Sequence, residues 1–337
     1  MRNVLNSKTT SERRKNILRK AITASPLIAA FTIVPFFAQE SILLNVLIMC
    51  GLYALLGGAW NILGGLCGQI SFGQALYFGV GSYVSTILFI TLNLSPWLGM
   101  LIGGVVAAMV SIVIGTLTFR LGGAYFILST IVVNLFVLTW FSNWNFVGAT
   151  TGLWLKRGQY SLSNFQFASK IPFFYIIWGL VVLQLLAYYK IKNSKQGYYM
   201  RAVRENEEAA KSLGINTLKT KLLGASLSAF FCAIGGSFYA QYTGYIDPTT
   251  TLAFLFSVEI ALVAIVGGID STVGPLIGAL VLISISELSR IFFGSQGAGI
   301  HLIIYSLIMI GMITFAPGGI ASSLQKILKK LKKNDAS

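Results

Sequence analysis

The sequence predicts an all-α polytopic membrane protein, a transmembrane helical bundle of about ten spans (eight to ten) at roughly 20 residues per span, with both termini in the cytoplasm. Three observations carry this. First, of 337 residues 55% are hydrophobic and 10% charged, with a mean hydropathy of +0.76, where soluble domains carry about a quarter charged residues. Second, no Asp, Glu, Lys or Arg occurs in 41–119, and further charge-free stretches run over 121–155, 171–189, 222–246 and 291–325. A charge at a span centre costs about 2.5–3.5 kcal/mol on insertion scales, so these gaps are the spans. Third, seven of the 25 basic residues lie in Met1–Lys20, eight in Lys190–Lys221 and five in Lys326–Lys333, all flanking apolar segments. That is the positive-inside pattern, and it accounts for the net charge of +15 without a nucleic-acid partner, which would require basic and aromatic residues interleaved on a polar fold.

Gly, Pro and polar punctuation divides the apolar chain into helices near 22–38, 42–63, 71–92, 97–119, 124–141, 172–189, 222–242, 255–269, 274–292 and 300–316. The first follows a basic region and imitates a signal peptide, but Phe36 breaks the small-x-small pattern before Ala38, so it reads as an uncleaved span. Six spans carry a cytoplasmic N-terminus to a cytoplasmic segment beginning at Lys190, and four more return the chain to a cytoplasmic tail. Arg120 then falls inside, and Lys156, Arg157 and Lys170 fall outside in the 142–171 connection. The resulting organisation is a basic N-terminus (1–21), a membrane domain (22–316) with a cytoplasmic loop at 190–221, and a basic tail (317–337).

Gly267, Gly268, Gly274 and Pro275 interrupt one long apolar stretch around Asp270, so one of the spans 255–269 and 274–292 could be re-entrant. Gly64, Gly65, Gly68 and Gly73, with Gln69 and Ser71 among them, make a second break. Such breaks at membrane depth line cavities or pathways, or the glycines serve only close helix packing; both readings stand. Cys50, Cys67 and Cys232 lie in apolar segments without CxxC spacing, as packing residues rather than ligands or disulfides.

The one soluble-looking element is 200–216, within Lys190–Lys221. Asn206 is placed to cap a helix, Glu207 and Glu208 occupy its first turn where the helix dipole favours anions, and Gly214 suits the left-handed position after its end. Ala210 and Leu213 share a face, and Met200 with Val203 offers a similar pair one turn earlier. Such a face docks on a partner protein, or the helix lies on lipid headgroups through Arg201, Arg204 and Lys211.

Glu208-Ala209-Ala210, followed after three residues by Gly214, resembles the EAA loop of binding-protein-dependent ABC importer permeases, whose coupling helix docks on the ATPase. The runs 68–75 (GQISFGQA), 78–83 (FGVGSY), 201–215 (RAVRENEEAAKSLGI), 244–248 (GYIDP), 266–275 (VGGIDSTVGP) and 315–317 (FAP) resemble successive signatures of the branched-chain amino acid permease family, LivM type. The resemblance spans about 40–320. Two departures are Ala149-Thr-Thr-Gly-Leu153, where a Gly-rich Thr-Gly-Gly segment is common, and Asp270, where a small residue is usual.

The resemblance implies a multi-pass subunit of the inner (cytoplasmic) membrane that forms a pathway for branched-chain or related amino acids. It implies two cytoplasmic ATPases, a homologous second permease, an extracytoplasmic binding protein and surrounding lipid. Arg204, Glu207, Glu208, Ala209, Ala210, Leu213 and Gly214 are then the ATPase-coupling residues. No Gly-x-x-x-x-Gly-Lys-Ser/Thr loop occurs, so the energy comes from elsewhere; ATP and Mg belong to the partner ATPases, and no cofactor or metal is expected here.

Few polar groups in the spans could meet a substrate: Gln69, Ser71, Gly73, Glu259, Gly267, Gly268 and Asp270 are the pathway candidates. An intramembrane carboxylate such as Glu259 is a functional candidate by default. Glu287 and Arg290, three apart, read as a structural pair, His301 as an interfacial anchor, and Asp247-Pro248 as an outer turn. Trp97, Trp140, Trp144 and Trp154 fall near outer ends, as belt residues. The competing readings are a urea or short-amide ABC permease and an ion-coupled secondary transporter; an enzyme is disfavoured by a single His and no HExxH or Ser/His/Asp set.

Overall fold

In the computed structural model the described residues are 42–155 and 160–293, with Ser306, Leu307, Ile310, Gly311, Thr314, Gly319 and Ile320 beyond them. The expected spans at 22–38 and 300–316, His301, Lys156, Arg157 and both basic termini lie largely or wholly outside the described residues.

The chain is helical, as its charge-free stretches require, because only helices or closed barrels satisfy every backbone group in lipid. Helix α1 (Ile42–Asn61) continues as a π-helical turn over Ile62–Leu66. It is followed by α2 (Gln74–Leu92), α3 (Pro96–Thr118), α4 (Ala124–Asn143) and α5 (Ile171–Lys192). Two short helices, α6 (Lys195–Glu205) and α7 (Glu207–Ser212), precede α8 (Thr217–Thr243). A single turn, α9 (Pro248–Thr251), leads into α10 (Phe254–Gly268), and α11 (Gly274–Phe293) closes the described bundle. Among the described residues, seven stretches are long and apolar enough to cross a membrane: Ile42–Leu66, Gln74–Leu92, Pro96–Thr118, Ala124–Asn143, Ile171–Lys192, Thr217–Thr243 and Pro248–Gly268. With the 20-residue α11, eight of the expected helices are present at nearly the expected boundaries.

The centre is α1, α2 and α8, in contact with α3, α5, α10 and α11 around them. Trp60, Phe78 and Phe238 are fully buried there. Small residues let the backbones meet: a Cβ on Gly236 of α8 would lie 2.0 Å from the Phe78 carbonyl oxygen of α2, and one on Gly278 of α11 2.1 Å from that of Val263. Helix α4 is peripheral, burying only Phe126, Thr130, Asn134 and Phe141. Cys50, Cys67 and Cys232 are free and buried.

The bundle has two chemically distinct ends. At one, Leu153–Trp154 (β1) pairs antiparallel with Tyr245–Ile246 (β2), and Ser95 and Trp97 donate to the carbonyls of Ser163 and Leu162. Asp247 caps α9, accepting from Thr250 N at 2.9 Å, so it does make the expected turn. Lys170 begins α5 here, and Glu287 pairs with Arg290 at 2.6 Å. The opposite, basic end carries the 190–221 segment and the α10–α11 turn at 269–273, with Gly319 against Gly268.

The Gly/Pro interruption around Asp270 is a tight turn at the basic end between two separate helices, α10 and α11. Gly64, Gly65, Gly68 and Gly73 belong to the π-helical end of α1 and the α1–α2 connection, which runs into the bundle: Phe72 N donates to Thr130 Oγ1 of α4 and Ala75 N to Ser257 Oγ of α10. Several of these glycines stand at close backbone approaches, as at Gly267, where a Cβ would lie 2.0 Å from the Gly274 carbonyl oxygen.

Candidate functional site

The 195–216 segment is built from caps. Ser194 accepts from Gly197 N at 3.3 Å to start α6. Asn206, at φ −159°, ends that helix and accepts from Ala209 N at 3.0 Å to start α7. Gly214 at φ +80° terminates α7 in the left-handed region, and Asn216 caps α8 by accepting from Lys219 N at 2.9 Å. The expected cap and stop are both present.

The apolar face divides in two. Met200, Val203 and Ala210 are buried under the bundle, so they hold the segment in place. Leu213 is 81% exposed, and the Glu208 side chain 83% exposed. Ala209, Lys211 and Ser212 are exposed beside them. Glu207 faces inward, pairing with Lys221 of α8 at 2.5 Å and with Lys211 at 3.7 Å. Burial disfavours the Glu207 charge, but the Lys221 hydrogen bond and charge outweigh it and hold the carboxyl below its ordinary value.

Arg204 also points into the bundle. Its Nη1 donates to the Gly65 carbonyl at 2.7 Å and lies 3.4 Å from Asp270 Oδ2, while Nη2 reaches the Glu205 carboxylate at 2.8 Å. The alkyl stem covers Gly68, at φ +69°, where a Cβ would come within 2.5 Å of Arg204 Cγ. Asp270, at φ +64°, receives Lys192 Nζ of α5 at 2.8 Å; the same ammonium donates to the Asp270 carbonyl. Tyr188 donates at 3.4 Å to Asp270 Oδ1. Asn61 clasps the turn from the other side, accepting from Asp270 N at 3.1 Å and donating to the Ser271 carbonyl at 2.9 Å.

The remaining pathway candidates are scattered. Gln69 is half-buried near this junction, and Ser71 and Gly73 are buried, with the Ser71 carbonyl accepting from Trp60 Nε1 at 2.8 Å. Glu259 lies within the bundle on α10, where Tyr53 of α1 donates to it at 2.6 Å. The structure therefore joins Arg204 to Asp270 and leaves Glu259 apart. Sequence reasoning missed Asn61, Lys192 and Tyr53. An Asn near the end of an apolar run was a visible signal for the first; nothing in sequence marks Lys192 among its basic neighbours.

A multi-pass bundle of apolar helices, carrying one short capped helix exposed at its basic end, is a membrane transport permease in class. The family model for the branched-chain amino acid transport system, permease component, matches residues 42–316, and the chain belongs to that family. It is 25% identical over 309 residues to the high-affinity branched-chain amino acid transport system permease protein LivM of Escherichia coli (strain K12), covering 82% of this chain and 69% of that one. It is 27% identical over 285 residues to the LivH permease protein of Salmonella typhimurium (strain LT2), covering 77% and 88%. The nucleoside ABC transporter permease protein NupC of Lactococcus lactis is 25% identical over 290 residues, covering 78% and 85%. No solved structure matches the chain.

Proposed function

We propose that this chain is one transmembrane permease subunit of a binding-protein-dependent ABC importer of the inner membrane, forming part of the translocation pathway for branched-chain amino acids. The family match over 42–316 carries the reading, and the exposed Glu208–Leu213 surface at the basic end supports it. Helix α7 is the coupling helix, with the basic end cytoplasmic. Glu208, Ala209 and Leu213 meet an ATPase; Glu207, Ala210, Arg204 and Gly214 hold the helix in place. Two ATPases bind ATP and Mg, a homologous permease completes the pathway, and a binding protein delivers substrate to the opposite face. Glu259, hydrogen-bonded to Tyr53, is the candidate for substrate contact within the bundle, since intramembrane carboxylates mark pathways.

A nucleoside substrate is the second reading, because the nucleoside permease relative is as similar as the LivM relative in identity. The test is uptake into vesicles holding this chain, its neighbouring genome-encoded second permease and ATPases, with binding protein outside and ATP inside. Labelled leucine, uridine and urea are compared. ATP-dependent leucine uptake, lost with Glu208→Lys while membrane insertion persists, is the expected result. Uridine or urea uptake would replace the substrate assignment. Uptake that follows a sodium or proton gradient without ATP would replace the importer reading itself.

A further inference from the structure

The charged junction at the basic end does more than neutralise a helix end. Asp270 sits in the five-residue turn between α10 and α11, and its contacts come from three other elements. Lys192 and Tyr188 belong to the end of α5, Arg204 to the last turn of α6, and Asn61 to the end of α1. Arg204 also holds the Gly65 carbonyl, so one guanidinium touches both the π-helical end of α1 and the α10–α11 turn. It lies only two residues before Asn206, where the backbone swings to φ −159° and α7 begins. A displacement of α7 therefore reaches two membrane hairpins through one side chain. The groups in the junction are one-quarter exposed, 24% for Lys192, 28% for Arg204 and 27% for Asp270. That is dry enough to strengthen their attraction and wet enough to let it open.

The charges match. Lys192 and Arg204 face Asp270, and Glu205, 73% exposed, takes the outer side of Arg204. Removing the Asp270 charge would leave two cations facing each other across the turn. The backbone also suits an acid here, since Asp and Asn are the non-glycine residues that best tolerate the left-handed region.

We propose that Asp270 is a positioning residue for energy coupling, an ionic latch that ties the α10–α11 hairpin to α5 and, through Arg204, to the coupling helix. It rests on the ABC importer reading above. With the latch made, the hairpin follows α7 when the ATPases close; with it broken, α7 moves and the hairpin does not. Asp270 acts through Arg204 and Lys192, and not by touching substrate.

The variant is Asp270→Asn, which removes the charge, keeps the size and keeps a left-handed backbone accessible. It is compared with wild type in vesicles holding the full assembly, reading leucine taken up per ATP hydrolysed. ATPase retained in detergent co-purification is read alongside. The expected result is unchanged ATPase retention and continuing hydrolysis, with uptake per ATP reduced about fivefold or more, the lower end of typical coupling between sites. The exchanged pair Lys192→Asp with Asp270→Lys should recover part of the ratio that Asp270→Lys alone loses, and Arg290→Gln, in an ion pair at the opposite end of α11, should leave the ratio unchanged. Wild-type uptake per ATP in Asp270→Asn, or a fall explained by lost ATPase retention, overturns the latch while leaving the importer reading standing. Wild-type uptake that needs no ATP overturns both.

Discussion

Asn206 stops one helix and starts the next, and the consequence is disproportionate because α7 has only six residues, far fewer than an isolated helix needs. Asn206→Ala should cost about 0.5–2 kcal/mol of local stability. It is read as faster hydrogen exchange over 207–213, with exchange in α8 unchanged. Glu207 gives the pH dependence. Its carboxyl titrates below its ordinary value in the folded protein, so its pairing with Lys221 contributes fully above the ordinary carboxylate range and is lost as pH falls through the lowered value. After correction for intrinsic rates, exchange in α7 should be flat above the ordinary carboxylate range and rise only once pH has fallen below it. Glu207→Gln should abolish that rise. The caps of this segment were legible because a cap is a local matter, set by a side chain and a backbone amide three residues away. Arg204 and Asp270 were each visible, but their meeting was not, since 66 positions separate them and only the fold closes that distance.

Elements were legible wherever solvent alone defines them. Charge-free stretches announce a lipid environment, and eight expected helices appear at nearly the expected limits. What the glycines do was not legible, because a glycine's role depends on what approaches it. The α10–α11 pair shows this: the run around Asp270 signals an interruption, and sequence cannot tell a break within one span from a turn between two helices. Gly278→Ala would place a Cβ 2.1 Å from the Val263 carbonyl oxygen and 3.0 Å from Gly267 backbone atoms. Neither is a flexible side chain that could give way. The expected loss is about 1–3 kcal/mol, seen as a lower unfolding midpoint in detergent. Gly179→Ala on α5, where nothing lies within 4 Å, should be neutral or slightly stabilising, by about 0.5–1 kcal/mol.

At the scale of the whole molecule, the fold separates holding from presenting. Met200, Val203 and Ala210 are spent inside the bundle, so the most exposed large apolar side chain the 195–216 segment keeps is Leu213, at 81%, ahead of Tyr198 at 61%. That asymmetry gives two opposite outcomes for two residues three apart. Leu213→Asp changes a side chain that is mostly exposed, so the permease's unfolding midpoint should stay close to the wild-type value. Burying a Leu side chain is worth about 1.5–3 kcal/mol, so ATPase affinity should fall roughly tenfold or more, read by titrating the purified ATPase onto permease in nanodiscs. Ala210→Leu should do the reverse. Overpacking a site that is 2% exposed costs about 1–3 kcal/mol of permease stability, and the outward surface proposed to meet the ATPase remains, so affinity among folded molecules should change little. If Leu213→Asp binds the ATPase as wild type does, the exposed face of α7 is not the docking surface and the coupling assignment of Glu208, Ala209 and Leu213 fails together.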